Sequence, residues 1–196
     1  MGDVVYLAGS RALPPTKSRL LVKRGGNTIC SKVPKPVVLV DTREQRPFSF
    51  AAHPNWIKGE KRATLPVADY SVEGMESLLA LERKSLEDVV GSLVGHREQF
   101  LAMCEKLADY RWKGIIIEAS YEDIKSPYPS QFSTAHPNGI TGSLDAIEAK
   151  YGIPIIYTSR FKNLAEEKAA SWLSKHFTYW WLESNGMGRV LLEGDL

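Results

Sequence analysis

LERKSLEDVV, residues 81–90, is the stretch whose reading decides the fold. Before Ser85 apolar and charged residues share a short run with the character of a strand. After it, Leu86, Val89, Val90 and Leu93 recur at spacings of three and four, the period of a helix. Strand side chains alternate faces, so Glu82 and Lys84 project together and Arg83 projects the other way. Ser85 and Asp88 have the spacing of a capping box, with Ser85 as N-cap and an acid in the first turn. Two readings follow. The charges are a solvated strand-to-helix junction, or they hold a metal beside a phosphate.

Outward from that junction, strands and helices alternate. VVLVD, ending at Asp41, is a β-branched run suited to a buried strand. REQRPFSFAAHPN reads as a loop, and RATLPV, residues 62–67, as a short extended piece. ADYSV and MESLLALERK pair as a hairpin across a turn near Gly74. Residues 85–110 are helical with a break at Gly95. WKGIIIEAS is a second core strand. Residues 120–138 read as a long proline-rich loop, in which Tyr128 and Phe132 have the chemistry to stack on unpaired bases. TGSLDAIEAKYG is a helix ending at Gly152, IPIIYTS a third strand, and FKNLAEEKAASWLSKHFTYWW a final helix. This pattern predicts an α/β fold with a mixed central β-sheet flanked by helices.

Asp69 lies thirteen positions before Glu82, enough chain for a turn that returns one carboxylate to the other. Asp41 and Glu44 follow the first core strand. Oxygen ligands of this kind suit Mg²⁺, which takes one or two carboxylates plus phosphate and water. A lysine beside them orients or deprotonates an attacking water, and the metal lowers that water's pKa. Glu-x-Lys alone is a weak signal, since it arises by chance in many strands.

Taken together, VVLVDTRE, LPVADYSV and LERKSLEDVVGSL resemble the nuclease domain of the XPF-type structure-specific endonucleases, the excision-repair cross-complementing group 4 family. That family has a strand ending in Asp-x-Arg-Glu, then Gly-Asp-Tyr, then Glu-Arg-Lys-x-x-x-Asp. The likeness runs over about residues 37–178. It implies a restriction-endonuclease-like PD-(D/E)XK fold and hydrolysis of phosphodiesters in branched, flap or junction DNA with Mg²⁺ or Mn²⁺. It assigns Asp69, Glu82 and Asp41 to the metal, Lys84 to catalysis, and Arg83, Glu44 and Asp88 to the rest of the signature. Arg43, Arg97, Lys23 and Arg24 become candidate DNA contacts. Family members also pair through the last helices of this domain, so a homodimer or heterodimer is expected, with Trp172, Trp180 and Trp181 as core or interface residues.

Two departures stand out. The family's glycine before the metal-binding Asp is Ala68 here, which carries strain if that position needs positive φ. Residues 182–196 are too short for the helix-hairpin-helix modules of many members. DNA grip is therefore expected from the N-terminal arm, the long loop or a second subunit.

Composition bounds the alternatives. The chain is 43% hydrophobic and 24% charged, enough for a packed core. No apolar run reaches the roughly 20 residues of a membrane span, and the N-terminus lacks a secretory pattern. Two cysteines, Cys30 and Cys104, form no zinc or disulfide pattern, and His53, His96, His136 and His176 are isolated. The expectation is a reduced, intracellular protein. Residues 1–36 hold seven basic residues against Asp3 alone, which makes them a basic arm suited to a polyanion. Residues 37–178 are then the nuclease domain and 179–196 an extension. A non-catalytic DNA-binding scaffold subunit, and a junction resolvase or restriction-type enzyme of the same fold, remain the rival functions.

Overall fold

The computed structural model describes residues 33–128 and 135–185, and the backbone of 23–24 and 27–28. Cys30, Phe132 and most of the basic arm lie outside the described residues. Within the arm, β1 (Lys23–Arg24) pairs antiparallel with β2 (Asn27–Thr28).

Six strands form one sheet in the order β4-β3-β5-β6-β7-β8. They are β3 (Val37–Asp41), β4 (Gly59–Ala63), β5 (Tyr70–Val72), β6 (Leu79–Ser85), β7 (Trp112–Glu118) and β8 (Ile155–Tyr157). The sheet is mixed, as expected. β5 runs antiparallel to both β3 and β6, while β3–β4, β6–β7 and β7–β8 are parallel. The carboxyl ends of β3, β6 and β7 therefore share one edge with the start of β5. Crevices at the carboxyl ends of strands are where open α/β sheets bind ligands.

Helices cover both faces. On one side α1 (Leu86–Val94), α2 (Arg97–Ala108), α3 (Tyr121–Lys125) and α4 (Pro137–Tyr151) close a core of Ala80, Val89, Val90, Phe100, Cys104, Ile115, Ile117, Ile140 and Leu144. On the other, α5 (Lys162–Ser184) covers Val38, Val40, Tyr70, Leu79, Leu81 and Ile116 with Ala165, Ala169, Ala170, Leu173 and Phe177. Alternate residues of β6 feed the two cores, so Leu79 and Leu81 face α5 while Ala80 faces α1 and α2. Trp172, Trp180 and Trp181 pack partly buried on the α5 core.

Three local expectations change. The extended piece near residues 62–67 is β4, earlier in sequence, and the chain turns away from it before β5. The loop at 120–138 contains α3. Its signal was present: Ser120 Oγ accepts the Asp123 N–H at 3.0 Å, Asp123 Oδ2 accepts the Ser120 N–H at 2.9 Å, and Ile124 anchors the turn in the core. The boundary at 178 falls inside α5, which runs on to Ser184 with Leu182 fully buried. The break at Gly95 is real; it is the C-cap of α1. Gly152 ends α4 at φ 60°, where a glycine carries no Cβ penalty. Among the described residues no helix is long and apolar enough to cross a membrane.

Candidate active site

The hairpin of β5 and β6 sets the geometry. Tyr70 pairs with Leu81, which brings Asp69, just before β5, to the part of β6 that carries Glu82. The twelve residues between them double back through the turn at Gly74, whose φ of 85° favours glycine. Asp69 is fixed at both ends of its peptide. Its N–H donates to Leu81 O at 3.3 Å and its carbonyl accepts the Asp41 N–H at 2.8 Å. Its Oδ2 accepts the Arg83 N–H at 2.8 Å.

Ala68 turns the chain into this position with φ 63°, the one non-glycine positive φ among the described residues. The family glycine is thus replaced at a position that uses its freedom. A non-glycine residue there costs on the order of 1–2 kcal/mol, and the Ala68 methyl, 9% exposed, is packed in the α1–α2 core.

Burial first, and the nearby Glu82 second, push the Asp69 carboxyl up to about 8. Burial also raises Glu82, against the pull of Lys84. The Lys84 ammonium stands 3.2 Å from Glu82 Oε1, with both side chains under 15% exposed. Its other side rests over the Phe100 ring, 4.9 Å from the centroid. Glu82 and Lys84 share a face, as their spacing predicts.

Arg83 lies on the opposite face, against the Phe48 ring. It is 8% exposed on its side chain and forms ion pairs with Glu118 and, at 3.6 Å, with Glu44. This buried cation ties the ends of β6 and β7 to the loop after β3. Glu44 also accepts the Arg46 N–H at 2.5 Å.

Asp41, expected among the metal ligands, accepts hydrogen bonds through both of its oxygens. Oδ1 accepts the N–H and Nε of Arg43 at 2.8 and 2.7 Å; Oδ2 accepts Leu65 N–H at 2.7 Å and Arg43 Nη2 at 3.1 Å. Arg43's hydrogen bonds, ahead of the opposing cost of burial, hold the Asp41 carboxyl down at about 2. Through these four hydrogen bonds Asp41 organises the loop. Arg43 in turn donates to Leu65 O at 2.8 Å, so this candidate DNA contact is half engaged in the same knot. Asp88 completes the capping box with Ser85: its N–H reaches Ser85 Oγ at 3.1 Å and its Oδ2 accepts the Ser85 N–H at 3.2 Å.

Asp41, Glu44, Asp69, Glu82, Arg83, Lys84, Asp88 and Arg43 all line one cleft of about 830 Å³. Arg97 does not; it donates to Ser143 Oγ at 3.2 Å, between α2 and α4. The side chains of Lys23 and Arg24 lie outside the described residues. Sequence reasoning missed Arg46, Gln99, Met103 and Lys106, which also line the cleft. The last three are spaced i, i+4, i+7, one stripe of α2, and that period was the available signal.

The donor set fits a hard divalent cation. Among the described residues no three His, Cys, Asp or Glu side chains form a closed metal cage. Mg²⁺ does not need one, since two carboxylates plus water and phosphate suffice. Asp69 and Glu82 are two poorly solvated carboxyls, each raised by burial, whose ionised forms a cation would stabilise.

Comparison with known proteins bears on the fold and the family. The chain is 29% identical over 137 residues to MJ1505 of Methanocaldococcus jannaschii, described as an ATP-dependent RNA helicase; the match spans 69% of this chain and 15% of that protein. XPF from Aeropyrum pernix superposes with a TM-score of 0.55 at 22% identity, over 78% of this chain and 69% of that one. The same protein in complex with DNA gives 0.54 at 23%, over 71% and 65%. These structures share the fold. The ERCC4 domain family model matches residues 40–169, most of the chain, and the protein belongs to the ERCC4 domain family.

Proposed function

We propose that this protein is a divalent-metal-dependent endonuclease that hydrolyses phosphodiesters in branched or flapped DNA. The observation that carries the reading is Asp69, tied to Leu81 O and the Arg83 N–H on either side of Glu82, in one cleft with Glu82 and with Lys84 at 3.2 Å from Glu82. Asp69 and Glu82 would hold Mg²⁺ or Mn²⁺. When bound, the ion supplies charge to offset the phosphate and lowers the pKa of water. Glu82 orients the Lys84 ammonium, and Phe100 fixes it from behind. Lys84 then stands ready to hold a water or balance charge on the attacked phosphorus. Arg83 and Asp41 keep the two carboxylates in place through their ties to Glu118, Glu44 and Leu65. Membership of the ERCC4 domain family, and the DNA complex of the Aeropyrum protein, support DNA as the substrate. The matched part of MJ1505 is too small a share of that protein for its helicase description to bear on this chain.

The test is cleavage of flap, fork, four-way junction and linear duplex DNA with Mg²⁺ or Mn²⁺. Glu82→Gln and Asp69→Asn should each abolish cutting while the protein stays folded. Wild-type rates in either variant would remove the mechanism. Binding of a flap with Mn²⁺ present, but no nicking by the parent protein, would point instead to a scaffold subunit.

A further inference from the structure

Among the described residues the cleft has five cationic side chains, and three of them are spent. Arg43 is bonded to Asp41, Arg83 to Glu118 and Glu44, and Lys84 to Glu82. Among the described residues, Arg46 and Lys106 are the cleft-lining cations whose side chains carry no hydrogen bond or ion pair, and both residues are exposed.

These two come from opposite faces of the sheet. Arg46 belongs to the loop after β3, which α5 holds: Lys162 Nζ donates to Pro47 O at 2.9 Å. Phe48, two residues on, is in the α5 core. Lys106 is on α2, whose neighbours Cys104 and Leu107 are in the other core. The cleft floor between them carries the recessed Glu82 and Lys84, both under 15% exposed. A polyanion entering the cleft meets buried acids at the centre and an unspent cation on each rim.

We infer that Arg46 and Lys106 form a two-sided clamp that grips the phosphates flanking the one brought to the floor. The chemistry recognised is a single phosphodiester strand threaded across the sheet edge. A cation on one rim alone would attract a strand without setting its path; one on each side defines a line over Glu82 and Lys84. Both side chains are unpaired in the free protein, so neither must break an ion pair to take a phosphate, unlike Arg43. The inference rests on the nuclease reading for its substrate, and its test is a binding measurement that does not depend on cleavage.

Affinity of the full chain for a labelled flap DNA and its single strand is measured by fluorescence anisotropy in EDTA over a range of salt. The proteins compared are the parent, Arg46→Gln, Lys106→Gln, the double variant and Lys168→Gln, an exposed lysine of α5 away from the cleft. Each phosphate contact contributes about 0.7 to the slope of log K against log salt for a single strand. Each clamp variant should lower the slope by about that much, the double variant by about twice as much, and Lys168→Gln not at all. An unchanged slope in the double variant, or an equal loss in Lys168→Gln, overturns the clamp while leaving the nuclease reading intact. If the slopes fall as expected but the parent never cuts DNA with Mg²⁺, the clamp stands and the nuclease reading fails. A parent that binds no DNA overturns the clamp, and the nuclease reading is then decided by cleavage with Mg²⁺ or Mn²⁺.

Discussion

Asp69 is tied to β6 on either side of Glu82: its N–H donates to Leu81 O, its Oδ2 accepts the Arg83 N–H, and the Asp69 and Glu82 side chains line the same cleft, each only partly exposed. That placement sets two like charges where neither is well solvated. The site is therefore electrostatically unfinished without a cation, and its stability depends on pH in a defined direction.

A carboxyl whose native pKa lies above its unfolded value holds its proton more tightly when folded. Asp69, raised to about 8 by burial and by Glu82, therefore contributes its full stability below about pH 4. That contribution is lost as pH rises through the native value. Thermal unfolding of the metal-free protein should show a falling Tm between about pH 5 and 8. Adding Mg²⁺ should raise Tm more at pH 8 than at pH 5, because only the ionised pair binds it. Asp69→Asn should flatten the pH trend and abolish the Mg²⁺ shift. An Mg²⁺ shift that survives Asp69→Asn would place the ion elsewhere.

Ala68 gives a second prediction, on folding. Its φ of 63° is costly for any residue with a Cβ. Ala68→Gly relieves that strain but frees the unfolded chain and removes a buried methyl. The net gain should be about 0.5–1 kcal/mol in urea unfolding. Ala68→Val, β-branched at positive φ, should lose more than about 2 kcal/mol. A glycine variant that is less stable by more than about 1 kcal/mol would mean that the methyl's packing outweighs the backbone.

Much of this arrangement was legible beforehand. The β-branched run at Val37–Asp41 and the change of period at Ser85 both follow from local chemistry, and both are where expected. The approach of Asp69 to Glu82 was readable because a short connection through Gly74 links their strands. Asp41 was harder. Its partners Arg43 and Leu65 lie on two loops, and no periodicity reports which backbone N–H will point at a carboxylate. Nor does sequence tell that Arg83, between two site residues, is itself buried against Phe48 and paired to the end of β7. α3 was overlooked although Ser120 and Asp123 repeat the capping spacing of Ser85 and Asp88, because the proline-rich surroundings outweighed a five-residue signal.

Asp41 yields a third prediction. Its carboxylate accepts four hydrogen bonds and is 2% exposed on its side chain. Asp41→Ala leaves the buried Leu65 N–H without its acceptor and frees Arg43. The expected cost is about 1–3 kcal/mol of stability, and DNA cleavage should fall with Mg²⁺ affinity little changed, since both its oxygens already accept hydrogen bonds. Isothermal titration with Mg²⁺ or Mn²⁺ separates the roles. Loss of metal binding in Asp41→Ala, with the fold intact by circular dichroism, would make it a ligand after all.

Phe100 supplies the last prediction. Its ring lies beneath the Lys84 ammonium, 4.9 Å away, while Glu82 holds the ammonium from the other side. Phe100 is itself 4% exposed and packs with Cys104 and Leu107. Leucine keeps most of the apolar volume and discards the quadrupole, so Phe100→Leu should retain the fold at a cost under about 1.5 kcal/mol. A cation–π contact in a partly desolvated site is worth about 0.5–2 kcal/mol. If that energy positions Lys84 for the chemical step, kcat should fall by about 2- to 30-fold with KM for DNA nearly unchanged, because Phe100 is not among the residues that line the cleft. Phe100→Tyr, which keeps the ring face, should restore kcat. Equal rates for Leu and Phe would reduce the ring to packing and leave Glu82 as the group that orients the lysine.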